Sequence, residues 1–246
     1  MLNRRMIWIA TVVAAVTGSA AADDAKAKVE TGLVQFKTTA SDGERTCALY
    51  VPPDYTPKKK WPLIVFLHGM GERGNDGLKQ TTVGIGHAIE ANADRFPCLV
   101  VMPQCSPDYV WTAAAALEHI DATIETVLRE YSIDKDRVVL TGLSMGGFGS
   151  FHYGALHPEM FSCVAPVCGG GQVTAAETLA KLPMWVFHGA DDTVVPPARS
   201  QTMVEAIRAA GGDVKYTEYP GVGHNSWDNA YGDPEAIKWM LSQKRK

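Results

Sequence analysis

The chain has 246 residues, 23 of them lysine or arginine and 27 aspartate or glutamate, for a net charge of −4. That acidic balance lacks the basic surface that phosphates require, so no nucleic-acid partner is expected. With 46% hydrophobic and 20% charged residues, the composition is that of an ordinary globular chain long enough for one sizeable core.

A charged start, Asn3-Arg4-Arg5, leads into the apolar run Met6 to Val16 and then the small residues Gly18 to Ala22. This is the three-part pattern of a secretory signal peptide over residues 1–22, with an apolar core shorter than the roughly 20 residues a membrane span needs. The expectation is export to the periplasm or beyond, by a route the sequence leaves open, with no stable membrane anchor after cleavage. Loss of Arg4 and Arg5 with the leader takes the net charge from −4 to −6. The terminal Lys244-Arg245-Lys246 reads as a solvated tail. Cys47, Cys98, Cys105, Cys163 and Cys168 form no Cys-x-x-Cys pair, so neither a metal nor a redox centre is indicated. Export permits a disulfide, but the odd count leaves at least one free thiol, and Cys98 and Cys163 read as buried hydrophobes.

Residues 23–246 show no repeat or linker and read as one domain. Strand-like runs fall at 33–37, 46–51, 63–67, 98–102, 137–141, 162–167, 184–187 and 214–219, the first two amphipathic and the later ones continuously apolar. A stripe through Ala116, Leu117, Ile120, Ile124, Val127, Leu128 and Tyr131 predicts a helix, and further helices fit 145–156, 199–210 and 234–241. Alternating strands and helices wind into a mostly parallel sheet of about eight strands with helices on both faces. Its site is expected outside the carboxyl ends of the strands.

The run Val138 to Thr141 leads into Gly142-Leu143-Ser144-Met145-Gly146, directly before a helix. A serine flanked in this way by glycines, between strand and helix, is a nucleophile elbow. A serine hydroxyl needs a base. Of seven histidines, His68 and His188 stand at strand ends, where an imidazole holds a loop. His87, His119, His152 and His157 fall on or beside helices. His224 lies in the loop Pro220 to Trp227 before the last helix, where the chain order nucleophile, acid, histidine places the base. The acid belongs on the intervening strand end, which offers Asp191 and Asp192. Adjacent side chains point different ways, and the pattern His-Gly-x-x-Asp-x-x-Val-Pro selects Asp192.

Acyl transfer also needs N–H donors for the carbonyl oxygen. Met145, after the serine, supplies one; His68-Gly69-Met70-Gly71 supplies the other from Met70, with Gly71 second. Gly71, Glu72, Arg73, Trp111 and Trp227 are candidates for the substrate pocket. The short stretch from Gly169 to Leu182 leaves no space for a helical cap and implies an open cleft.

At these residues, and from about Leu33 to Leu241, the sequence resembles the capless α/β-hydrolase superfamily. The likeness is to secreted phospholipase/carboxylesterases, dienelactone hydrolases and feruloyl or polyhydroxybutyrate esterases. The resemblance implies a Ser144–His224–Asp192 triad that hydrolyses small-molecule or polysaccharide-linked carboxylic esters with no cofactor. A prolyl-oligopeptidase-type peptidase would use the same triad, and a non-catalytic envelope or carbohydrate-binding protein could stand on the same scaffold. Oligomeric state and acyl specificity are not legible.

Overall fold

Continuously apolar runs fold as strands only where both faces of a sheet are covered. The computed structural model describes residues 29–245, and the leader expected at 1–22 lies outside them. One eight-stranded sheet is built from β1 (Gly32–Ala40), β2 (Gly43–Val51), β3 (Trp61–Leu67), β4 (Leu99–Met102), β5 (Ile133–Leu143), β6 (Cys163–Val167), β7 (Met184–Gly189) and β8 (Val214–Tyr219). Its strand order is β1-β2-β4-β3-β5-β6-β7-β8. β2 pairs antiparallel with both β1 and β4, and every pairing from β4 to β8 is parallel.

The helices are α1 (Ile85–Ala91), α2 (Ala114–Glu130), α3 (Met145–Leu156), α4 (Ala176–Leu179), α5 (Ala198–Ala209), α6 (Trp227–Gly232) and α7 (Pro234–Ser242). Because side chains alternate across a strand, each central strand feeds two cores. Leu63, Val65 and Leu67 of β3 join Ile120, Ile124, Phe151 and Ile207 from α2, α3 and α5. Ile64 and Phe66 join Ile85, Tyr231, Ile237 and Met240 from α1, α6 and α7. Asp233 caps α7 by accepting the Glu235 N–H at 2.9 Å, with Pro234 in the first turn.

Two readings need correction. β1 is amphipathic, but Cys47–Val51 of β2 is buried on both faces, because Leu49 and Val51 enter one core and Ala48 and Tyr50 the other. β5 begins at Ile133 rather than Arg137, pairing there with Trp61 before a register shift. Lys244 and Arg245 are exposed, and Arg245 is tethered to Asp136 Oδ1 and the Glu159 carbonyl, both at 2.8 Å. All five cysteines are buried and unpaired.

His119 shows what it costs to bury an imidazole in such a core. It is 1% exposed, with Nδ1 3.2 Å from Thr38 Oγ1 and Nε2 3.7 Å from Cys47 Sγ. Burial, reinforced by the Arg45 charge, lowers its pKa to about 4. In the unfolded chain histidine titrates near pH 6.5, so on acidification the unfolded state takes the proton first. This contribution to stability is therefore whole above about pH 6.5 and is lost as pH falls toward about 4, on the order of 3 kcal/mol. The urea midpoint of unfolding is expected to fall between pH 6.5 and 4.5. His119→Gln should flatten that slope, and an unaltered slope would assign the acid sensitivity elsewhere.

Candidate active site

β5 ends at Leu143 and α3 begins at Met145, so Ser144 alone turns the chain from strand to helix. It does so with φ +52° and ψ −116°, a region that side-chain-bearing residues rarely adopt. Its N–H donates to the Val167 carbonyl at 3.0 Å. The flanking glycines are required by contact: a Cβ on Gly146 would stand 1.8 Å from the Leu67 carbonyl oxygen, and one on Gly142 2.4 Å from that of Gly146. Backbone therefore presses on backbone from both sides, and the serine is carried outward at the carboxyl end of the sheet.

His224 follows β8 in the loop before α6, and its Nε2 lies 2.9 Å from Ser144 Oγ. Its Nδ1 lies 2.7 Å from Asp192 Oδ2. An ionised carboxylate only accepts, so Nδ1 carries the proton and Nε2 is free to accept from the serine hydroxyl. Asp192 sits in the turn after β7, 4% exposed, and its Oδ1 accepts the N–H groups of Val194 and Val195, both at 2.9 Å. Burial alone would raise the carboxyl pKa, but the His224 donor and the two amides outweigh it and hold it below its usual range. Asp191 faces solvent, its N–H bonded to the Val222 carbonyl.

Two other histidines hold the loops of the site. His188 is fully buried, with Nε2 2.8 Å from the Val195 carbonyl and 3.2 Å from Asp192 Oδ2. Both are acceptors, so Nε2 bears hydrogen, and Nδ1 meets Ser200 Oγ at 2.7 Å. This clamp on the acid lies four residues before Asp192 in the sequence. His68 Nδ1 donates to the Gly69 carbonyl at 2.6 Å, and Nε2 accepts the Cys105 N–H at 2.9 Å. Burial lowers its pKa to about 4, so it is a neutral brace for the following turn.

That turn, Met70–Glu72, is a single 3-10 turn with Gly69 at its N-cap. Met70 is exposed and Gly71 open, with no neighbour where a Cβ would stand. Met70 and Met145 each open a helical turn, and the first N–H groups of such turns have no acceptor within them. Glu72 is half-buried beside Gly69. Arg73 does not point its donors into a pocket: Nε bonds the Met70 carbonyl, and Nη1 those of Pro107 and Tyr109. Trp111 is corrected likewise. It is fully buried, donates Nε1–H to the His68 carbonyl at 2.8 Å and stands edge-on to the His68 ring, so it packs behind the loop and lines no pocket. Trp227, half-buried, stands edge-on to His224 with ring centroids 5.3 Å apart.

Cys168 was not among the site residues read from the sequence. It follows β6 with φ +40°, and its thiol, pushed up to about 12 by burial, lies behind the acid and the histidine. Among the described residues, Cys168, Asp192 and His224 are the one group whose donor atoms could gather round a metal, all within 4.8 Å of one another. Two of those three residues are already joined by the Asp192–His224 hydrogen bond. Between β6 and β7 stand only a 3-10 turn, Val173–Ala175, and the one-turn α4, so no helical cap covers the serine there.

A mostly parallel sheet with an elbow serine after β5, an acid after β7 and a histidine after β8 defines the α/β-hydrolase fold. Within it, the chain belongs to the Esterase family, whose model matches residues 38–202, including Ser144 and Asp192 but not His224. A solved thermostable esterase is 36% identical, with a TM-score of 0.79, covering 87% of this chain and 63% of its own. The feruloyl esterase module of Clostridium thermocellum, solved with sinapinate, is similar in fold alone: 17% identical, TM-score 0.70, covering 86% and 88%. The bifunctional acetylxylan esterase/xylanase of Neocallimastix patriciarum is 27% identical over 154 residues, 61% of this chain and 22% of that protein. The chain spans 22% to 56% of the first curated relatives it matches.

The two aspartates separate in experiment. Asp192→Asn is expected to lower kcat by about 10⁴-fold, since the amide would favour the wrong imidazole tautomer. Asp191→Asn should stay within a few-fold of wild type in the same steady-state assay.

Proposed function

We propose that the protein is a serine hydrolase of carboxylic esters. The observation that carries this reading is the continuous hydrogen-bond chain Asp192–His224–Ser144, at 2.7 and 2.9 Å, on an elbow turn. His224 Nε2 takes the hydroxyl proton as Ser144 Oγ attacks the ester carbonyl, and Asp192 stabilises the resulting imidazolium. The carbonyl oxygen, now an anion, is met by the N–H groups of Met145 and Met70. Collapse of the tetrahedral species passes the proton from His224 to the departing alcohol and leaves an acyl-enzyme. Water, deprotonated by His224, attacks that acyl carbon, and the second collapse frees the acid and restores the serine. The scheme uses no cofactor.

Within that reading the substrate is a small-molecule or polysaccharide-linked ester. Membership of the Esterase family supports ester over amide, and two curated relatives, the acetylxylan esterase/xylanase of Neocallimastix patriciarum and a feruloyl esterase of Aspergillus terreus 26% identical over 155 residues, support an acyl group carried on a polysaccharide. The open approach to Ser144 between β6 and β7 suits a substrate that extends beyond the site. The leader pattern at 1–22 accords with action outside the cytoplasm.

Ser144→Ala is expected to lower kcat on p-nitrophenyl acetate by about 10⁶-fold and to end labelling by a fluorophosphonate probe. Turnover retained in that variant would overturn the assignment. Wild type assayed on an ester and on the matched peptide amide should prefer the ester. The reverse preference would make the protein a peptidase using the same residues.

A further inference from the structure

We propose that Glu72 is a specificity-determining residue that makes the site select neutral esters over esters bearing a carboxylate on the acyl chain. The proposal rests on Ser144 as the nucleophile. The position that a Cβ on Gly69 would occupy lies 3.0 Å from Glu72 Oε2 and 3.7 Å from Ser144 Cβ. Leu143 Cδ1 closes on the same point at 2.8 Å, so only a glycine fits there, and the carboxylate oxygen and the Cβ of the nucleophile are thereby held within about 7 Å of each other.

None of the ion pairs among the described residues includes Glu72. The neighbouring guanidinium of Arg73 is bonded to three carbonyl oxygens instead. Half-burial raises the Glu72 pKa, and the amides of Gly69 and Glu72 hold it back only in part. Glu72 is the third residue of the turn that Gly69 caps, the position from which a glutamate in a capping box faces the cap N–H. Shape and charge are therefore separable: a glutamine keeps an oxygen for the cap and removes the charge, whereas an alanine removes both.

A second negative charge held several ångströms away in a partly desolvated cleft meets a repulsion equivalent to roughly tenfold in kcat/KM. The substrates that read this are the mono-p-nitrophenyl ester of adipic acid, anionic at neutral pH, and its methyl-capped neutral counterpart. Wild type should prefer the neutral ester by about tenfold, with the preference shrinking as salt is raised. Glu72→Gln should bring the ratio near one, and Glu72→Ala should do the same while lowering kcat for both esters through a loosened turn. Because the readout is a ratio, a uniform change in rate cancels.

A Glu72→Gln protein that is labelled by fluorophosphonate and keeps the wild-type ratio would overturn the role of Glu72 and leave the Ser144 reading intact. Hydrolysis retained in Ser144→Ala would overturn the reading of the site instead. Should Glu72→Gln fail to fold, wild type decides alone: a ratio of one, or one indifferent to salt, refutes the proposal.

Discussion

The contact on which the site depends is the approach of the Gly146 backbone to the Leu67 carbonyl, so close that a methyl group would lie 1.8 Å from the oxygen. It brings the start of α3 against the end of β3 and leaves a single residue to reverse the chain. The left-handed φ of Ser144 follows from that, at a cost on the order of 1 to 3 kcal/mol that the surrounding parallel pairing must offset. The same approach sets Met145 N–H at the mouth of α3 beside the turn that follows β3. One steric condition thus carries the Ser144 side chain out of the sheet and brings the first turn of α3 beside the turn after β3.

Rigidity elsewhere is supplied by buried histidines. His68 joins the turn after β3 to the loop after β4, through Gly69 and Cys105. His188 ties Asp192 and Val195 of the acid turn to Ser200 at the start of α5, and Ser200 Oγ donates to the Gly169 carbonyl at 3.0 Å. An imidazole suits these places because its two ring nitrogens lie in one plane and engage two loops at once, a span that an asparagine would be too short to cover. The depressed pKa of His68 is the measure of that arrangement: the burial that makes it a rigid brace also makes protonation unfavourable in the fold.

What the sequence discloses follows from the range of each interaction. The elbow, α3 and the continuously apolar strands are set by neighbours in sequence, and Gly142 to Gly146 carries its own steric argument. Asp192 and His224 are distant from Ser144 along the chain, yet they were legible because the order of strand ends fixes which loops can meet. Layering was harder to read: the sequence of β2 cannot show that both of its faces would be covered. The helices α1 and α6 are too short to display a 3.6-residue stripe. Trp111 and Arg73 were drawn toward the site by their place in loops near it. Whether an indole faces a cleft or the back of a loop depends on contacts such as that with the His68 carbonyl, which no local pattern encodes.

Substrate recognition rests on the same loops. A cap domain would write specificity into a segment of its own, whereas here the walls are the same short loops that hold the catalytic geometry. Each residue on them serves two demands at once. Glu72 shows the conflict: its carboxyl is half-buried against the Gly69 amide at the start of the turn after β3, and in the proposed mechanism its charge would oppose the negative charge that develops on the substrate carbonyl oxygen. A carboxylate retained there would cost some transition-state stabilisation for every substrate. That cost would be least where the ester brings hydroxyl donors to the same space, because such donors would engage the carboxylate and draw its charge away from the reacting oxygen.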